Sequence, residues 1–180
     1  YMKKNVKFKE WLVLAFMSSD IEKLELRKLR KPYKVGEHRT PDNLNKMTIG
    51  QMLQLSEMKT GEDLFYLVTN VLLGMEKKET AESLAVEVVS FVGWVIGQVE
   101  RINRLFDKAK GKPTDKEVRA GIEQLRFGMF GLVDWYAKRM GIQNHDEVMD
   151  VCWMRVYKCM DMDTKTQEFN RRLAEISIKQ

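Results

Sequence analysis

The sequence predicts an all-α protein: a two-layer helical bundle of about seven or eight helices with an extended basic N-terminal arm. Three observations predict it. Apolar residues recur at three- and four-residue spacing through most of the 180 residues. Only three prolines, Pro32, Pro41 and Pro113, interrupt the chain, and they fall in two places. No segment alternates apolar and polar residues between turn signals, as a half-buried strand would.

The elements follow in order. Val6–Ser18 is a compact apolar run that suits an amphipathic helix or anchor. Asp20 is placed to cap a helix over Ile21–Arg30, and Lys31–Asn45 reads as a linker through Pro32, Gly36, Pro41, Asp42 and Asn43. Thr48 and Gln51 have capping-box spacing ahead of a short helix ending near Lys59. Thr60 opens the next helix, which stops at Gly74. Thr80 and Glu82 start a long central helix from Ala81 to about Lys108. After the Gly111–Pro113 break, Thr114 and Glu117 form a second capping box for a helix through Ile122 and Leu125, joined loosely to Met129–Met140 by Gly128 and Gly131. Gly141 ends that helix, Asn144 starts one running through Met160, and Asp163 caps the last, which has Phe169, Leu173 and Ile176 on one side. Three segments result: residues 1–45, an arm or helical hairpin with its linker; 46–110, a first helical subdomain; and 111–180, a second.

Composition suits a folded chain, with 44% hydrophobic and 32% charged residues, enough for a buried core. The 12 methionines are core filler or adaptable contact surface. Charge is uneven. Residues 1–40 hold 11 Lys/Arg against 5 Asp/Glu, and the remainder holds 20 against 21. The net charge of +5 therefore belongs to the N-terminal segment. Cys152 and Cys159 would lie about 10 Å apart along one helix, too far for a disulfide, so free thiols are expected. Trp11–Met17 faintly imitates a signal peptide, but Glu10 interrupts its entry and Ser18, Ser19 and Asp20 make a poor cleavage site. Leu84–Ile96 is too short to span a bilayer, and no membrane partner is expected.

Chemistry-bearing constellations are scarce. His38 and His145 are the only histidines, without ligand spacing to a second metal ligand. The acids Asp146, Glu147, Asp150, Asp161 and Asp163 lack the glycine and glutamate of a calcium loop, and acids in a first helical turn face the positive end of the helix dipole. No phosphate-binding glycine loop and no nucleophile elbow occurs. Catalytic residues, cofactors and metals are therefore expected to be none. Gly93 and Gly97 read as a close helix approach inside the core or as a self-association face. Asp134, an acid in an apolar stretch, points outward or pairs with Lys138 or Arg139.

Two candidate surfaces remain. Trp11, Leu12, Leu14 and Phe16 are apolar anchors suited to a partner's groove. Lys23, Arg27, Lys28, Arg30, Lys31, Lys34 and Arg39 form a basic segment around Tyr33. They read as a solvated face, a protein-docking patch or a phosphate-binding patch with a stacking ring.

Several stretches look familiar as a set. Met47–Thr–Ile–Gly–Gln51 opens a helix, followed by Asp63–Leu–Phe–Tyr–Leu67 and the stop Val71–Leu–Leu–Gly74. Later come Ala120–Gly–Ile–Glu–Gln–Leu125, Gly128–Met–Phe–Gly131, Glu147–Val–Met–Asp150 and Glu168–Phe–Asn–Arg–Arg–Leu173. Over roughly residues 46–176 the chain resembles small helical proteins in the structural gene modules of tailed bacteriophages, especially crAss-like and related phages of Bacteroides. The resemblance implies a virion component or tail-assembly chaperone, acting in the bacterial host cytoplasm and retained in the particle or released. Its partners would be other phage structural proteins or a sister copy. It carries over no catalytic residues.

Residue inventory and resemblance together predict a non-enzymatic protein that docks onto other proteins through its N-terminal arm. The alternative is a nucleic-acid-binding accessory protein using the basic segment. Deleting residues 1–40 is then expected to abolish co-purification of a partner and leave the helical circular dichroism intact. A salt titration separates the alternatives, because phosphate binding weakens steeply with salt and apolar docking does not.

Overall fold

A computed structural model describes residues 5–18, 29–56, 61–125 and 127–178. The protein is all-α. The described residues form nine α-helices: α1 Phe8–Ser18, α2 Ile49–Ser56, α3 Glu62–Leu73, α4 Lys77–Glu82, α5 Ala85–Ala109, α6 Asp115–Arg119, α7 Gly128–Met140, α8 His145–Met149 and α9 Trp153–Ile178. Among the described residues a 3-10 turn spans Ile122–Gln124. One short antiparallel hairpin pairs β1, Lys34–Val35, with β2, His38–Arg39, inside the segment expected to be linker. The helix expected over Ile21–Arg30, the Asp20 cap and the Thr60 cap lie outside the described residues, apart from Leu29 and Arg30, which are not helical. The chain divides into two compact units, Tyr1–Met47 with Gln51–Arg101, and Thr48–Gly50 with Ile102–Gln180.

In the first unit, α1 is part of the core. Phe8 is fully buried, with its ring 5.7 Å from Trp11, 5.2 Å from Phe65 and 5.7 Å from Tyr66. Backbone bonds fix this segment: Phe8 N–H donates to the Ser83 carbonyl at 2.8 Å, and Ala85 N–H donates to the Val6 carbonyl at 2.9 Å. The same pairing explains why the long helix expected from Ala81 is two helices. Ser83 adopts an extended conformation, and bonds to the Val6–Phe8 segment replace helix bonds at the α4–α5 junction. Glu79 and not Thr80 works at the start of α4, accepting from Glu76 N–H at 2.7 Å. Thr80 is buried, its hydroxyl 2.8 Å from that of Thr69. The fully buried Val88, Val89, Phe91, Val92 and Val95 make the first part of α5 the spine of the unit. The hairpin turns at Gly36, where φ is +56° and an added Cβ would lie 2.8 Å from the Ser83 hydroxyl. Its N–H donates to the Glu87 carboxylate at 3.0 Å. Only glycine meets both demands.

In the second unit, Phe106, Trp153 and Tyr157 cluster with ring centroids 5.8–6.2 Å apart, beside buried Ile49, Val133, Tyr136, Val148 and Val156. Ile49 N–H donates to the Val151 carbonyl at 2.8 Å and Thr48 bridges Cys152, so the chain is extended between α8 and α9. That crossing moves the helix break from Asp163, where it was expected, to Asp150–Cys152. Asp163 sits within the continuous α9. Gly74 and Gly141, both left-handed, end α3 and α7 as expected. The capping box is present at α6, where Thr114 and Glu117 exchange bonds of 2.7 and 3.2 Å. That helix ends at Arg119, short of Leu125. Neither Cys152 nor Cys159 is in a disulfide. In front of Gly97 there is open space, so that glycine makes no close approach within the described residues.

The structure corrects the truncation expectation. Removing residues 1–40 removes Phe8, Trp11 and Leu12 from the first unit, and losing one buried Phe alone costs about 3–5 kcal/mol. The truncated chain should lose much of its unfolding free energy in urea; unchanged stability would contradict the packing. A second outcome concerns Glu82, which accepts from the ammonium groups of both Lys7 and Lys9. These bonds hold its carboxyl well below the usual range, at about 2. A depressed carboxyl stabilises the fold above its unfolded pKa of about 4.3, and the contribution is lost as pH falls toward 2. The melting-temperature advantage of the natural chain over Glu82→Gln should therefore shrink from pH 5 downward at low salt. A constant difference would show that the ion pairs are not its source.

Candidate docking surface

Among the described residues, most of the anchors and cations expected to face a partner are engaged within the chain. Trp11 and Leu12 are buried in the core of the first unit, which corrects their reading as free anchors. The helix turns Phe8, Trp11, Leu12 and Ala15 inward together, whereas Leu14, with its neighbour Val13, is exposed. The side chain of Phe16 lies outside the described residues, as do Lys23, Arg27 and Lys28. Lys31 donates to the Pro41 carbonyl at 2.8 Å and sits 5.2 Å from the Trp94 ring centroid. Lys34 lies 3.7 Å from Glu37, and Arg39 lies over the Tyr33 ring. Arg30 is exposed.

The titratable groups are arranged as ion pairs and caps. Asp134 accepts from Lys138 at 2.7 Å, one of the two partners expected for it, and lies 3.4 Å from His145. The Lys138 bond, with His145 adding to it, lowers the Asp134 pKa. His145 also stands edge-on to Phe130. Arg139 instead grips Asp163 with two bonds of 2.9 and 3.1 Å, a fork that ties α7 to α9 and raises the arginine's own pKa. His38 lies 3.6 Å from Glu79. Among the described residues no three His, Cys, Asp or Glu side chains gather as a metal site, and no buried side-chain N or O lacks a partner. No helix among them is long and apolar enough to cross a membrane.

The exposed surface of the second unit is a different matter. Every described side chain from Lys165 to Ser177 is exposed. Within this stretch and just before it, Met162, Phe169, Leu173 and Ile176 show 60, 55, 51 and 60% of their surface. At about 100° per residue these four share one stripe of α9 with Thr166. The opposite side faces the chain's own α5–α6 linker. There the Thr164 hydroxyl donates to the Ala109 carbonyl at 2.6 Å, capping the end of α5. A Cβ added at Gly111 would meet Thr164 at 2.9 Å and Glu168 at 4.0 Å. Arg171 is near enough to help lower the Glu117 pKa, an effect led by the backbone bond from Thr114. Around Thr164 and Glu168, α9 thus turns polar residues toward the linker and the apolar stripe away from it. A second exposed apolar group, Leu125, Phe127 and Phe130, lies around the start of α7.

Sequence spacing had placed Phe169, Leu173 and Ile176 on one side of a helix. It did not show which way that side faces. The available signal was the alternation of four and three residues from Met162 through Thr166, Phe169, Leu173 and Ile176, the seam of a coiled coil and not of a globular core. Comparison with protein-family models, with curated proteins and with solved structures finds no match for this chain.

Because the stripe packs against nothing in the described chain, Phe169→Ser and Leu173→Ser should each change the urea unfolding free energy by less than about 0.5 kcal/mol. Phe106→Ala, in the core of the same unit, should cost about 3–5 kcal/mol. Comparable losses at Phe169 and Phe106 would mean that the stripe is covered by the chain itself.

Proposed function

We propose that the protein is non-catalytic and works by docking onto another protein, with α9 as the docking element. One observation carries this: the apolar stripe of α9 faces away from the linker against which the same helix packs. Large exposed apolar faces are costly for a chain to keep unless something covers them. Helix-in-groove or helix-on-helix recognition reads such a face through anchors at three- and four-residue spacing. The resemblance to helical proteins of tailed-phage structural modules supplies the setting, a virion component or assembly helper acting in the infected bacterium. The docking element moves from the N-terminal segment to α9, because Trp11 and Leu12 are committed to the core.

The test is recovery of tagged full-length chain from infected host cells, comparing the natural protein with the double variant Phe169→Ser, Leu173→Ser. The natural chain should retain a virion protein at fixed stoichiometry, identified by mass spectrometry. The variant should lose it while keeping its circular dichroism and melting temperature. Identical recovery from both would refute docking through α9.

A further inference from the structure

The stripe on α9 has flanks of unequal charge, and these specify what covers it. With Met162, Phe169 and Ile176 as one set of seam positions and Cys159, Thr166 and Leu173 as the other, one flank carries Lys158, Lys165 and Arg172 at seven-residue intervals. All three are exposed. The opposite flank carries Asp163, Asn170 and Ser177, of which Asp163 is already held by Arg139. One border of the seam is therefore uniformly basic and the other is neutral toward a newcomer. In the free chain Lys165 rests on Asp161 at 2.7 Å, an exposed pair of the kind that contributes little and can be exchanged.

The geometry points to a partner of defined chemistry: an amphipathic α-helix of another protein, with an apolar seam bordered by Asp or Glu, laid along α9 between Met162 and Ile176. This deepens the docking reading and rests on it. Residues beside the seam set partner choice by charge, so a basic border selects an acidic one. A second copy of this chain meets the requirement poorly. Parallel pairing sets Lys165 against Asn170 and Arg172 against Ser177, leaving both without a countercharge. Antiparallel pairing sets basic border against basic border. An anionic bilayer is also a poor match. Helices that lie on membranes keep a basic polar face, whereas Asp161–Ile178 holds four acids, Asp161, Asp163, Glu168 and Glu175, against Lys165, Arg171 and Arg172. The seam is about 21 Å long, which suits a reversible contact and not a permanent one.

The experiment uses the full-length chain and two dye-labelled synthetic helices of about three heptads, both with Leu at the seam positions. One has Glu at the bordering positions and the other has Lys. Fluorescence anisotropy at low salt should show the Glu-bordered helix binding at least tenfold more tightly. Binding should be lost in Phe169→Ser, Leu173→Ser, and the charge preference should invert in Lys165→Glu, Arg172→Glu. Equal affinity for the two helices, or no binding of either, overturns the acidic-helix assignment. The docking reading then stands or falls separately on the recovery experiment. Concentration-dependent dimers in sedimentation that vanish in Phe169→Ser, Leu173→Ser would assign the seam to a second copy. Flotation with phosphatidylglycerol vesicles in preference to the Glu-bordered helix would assign it to a membrane surface.

Discussion

Backbone pairing between segments distant in sequence sets two helix boundaries of this chain, the α4–α5 junction and the start of α9. Val6–Phe8 against Ser83–Ala85, and Thr48–Ile49 against Val151–Cys152, are short extended crossings in an all-α protein. Each provides bonds for backbone groups that a helix break would otherwise leave orphaned. The first crossing brings Phe8 into the aromatic cluster with Trp11 and Phe65. The second starts α9 at Trp153, beside Phe106, and lets it run unbroken to Ile178.

The course of α9 after Tyr157 follows from that start. Once the helix begins at Trp153, Thr164 falls where it can cap the end of α5 and Asp163 where Arg139 can grip it. These polar contacts fix the rotation of the helix about its own axis. With Thr164 and Glu168 turned toward the linker, helical periodicity points Phe169, Leu173 and Ile176 away from it. The apolar stripe is thus held in its exposed position by specific hydrogen bonds and an ion pair.

Local chemistry was legible in the sequence wherever a few neighbouring residues decide the outcome. The Thr114–Glu117 box, the Asn144 cap and the Gly74 and Gly141 stops all stand where composition put them. What depends on a remote strand or charge was not legible. Ser83 and Leu84 look like ordinary helix residues until Val6 and Phe8 pair beside them, and Asp163 looks like a cap until Arg139 claims it. The same limit hid the candidate surface. Trp11 and Leu12 resemble anchors for a partner, and only the position of Phe65 and Tyr66 shows that they are anchors for the chain itself. The heptad spacing on α9 was visible in the sequence, but its outward direction depends on Ala109 and Gly111, more than fifty residues earlier.

Whether the terminal half of α9 is uncovered in the isolated molecule is tested most directly by amide hydrogen exchange at a concentration where the chain is monomeric. Amides from Lys165 to Ser177, with no packed neighbour on the apolar side, should exchange far faster than those from Trp153 to Met160 and gain protection when an acid-bordered helix is added. Equal, slow exchange along the whole of α9 in the free monomer would mean that the stripe is already buried, and the docking account would be wrong.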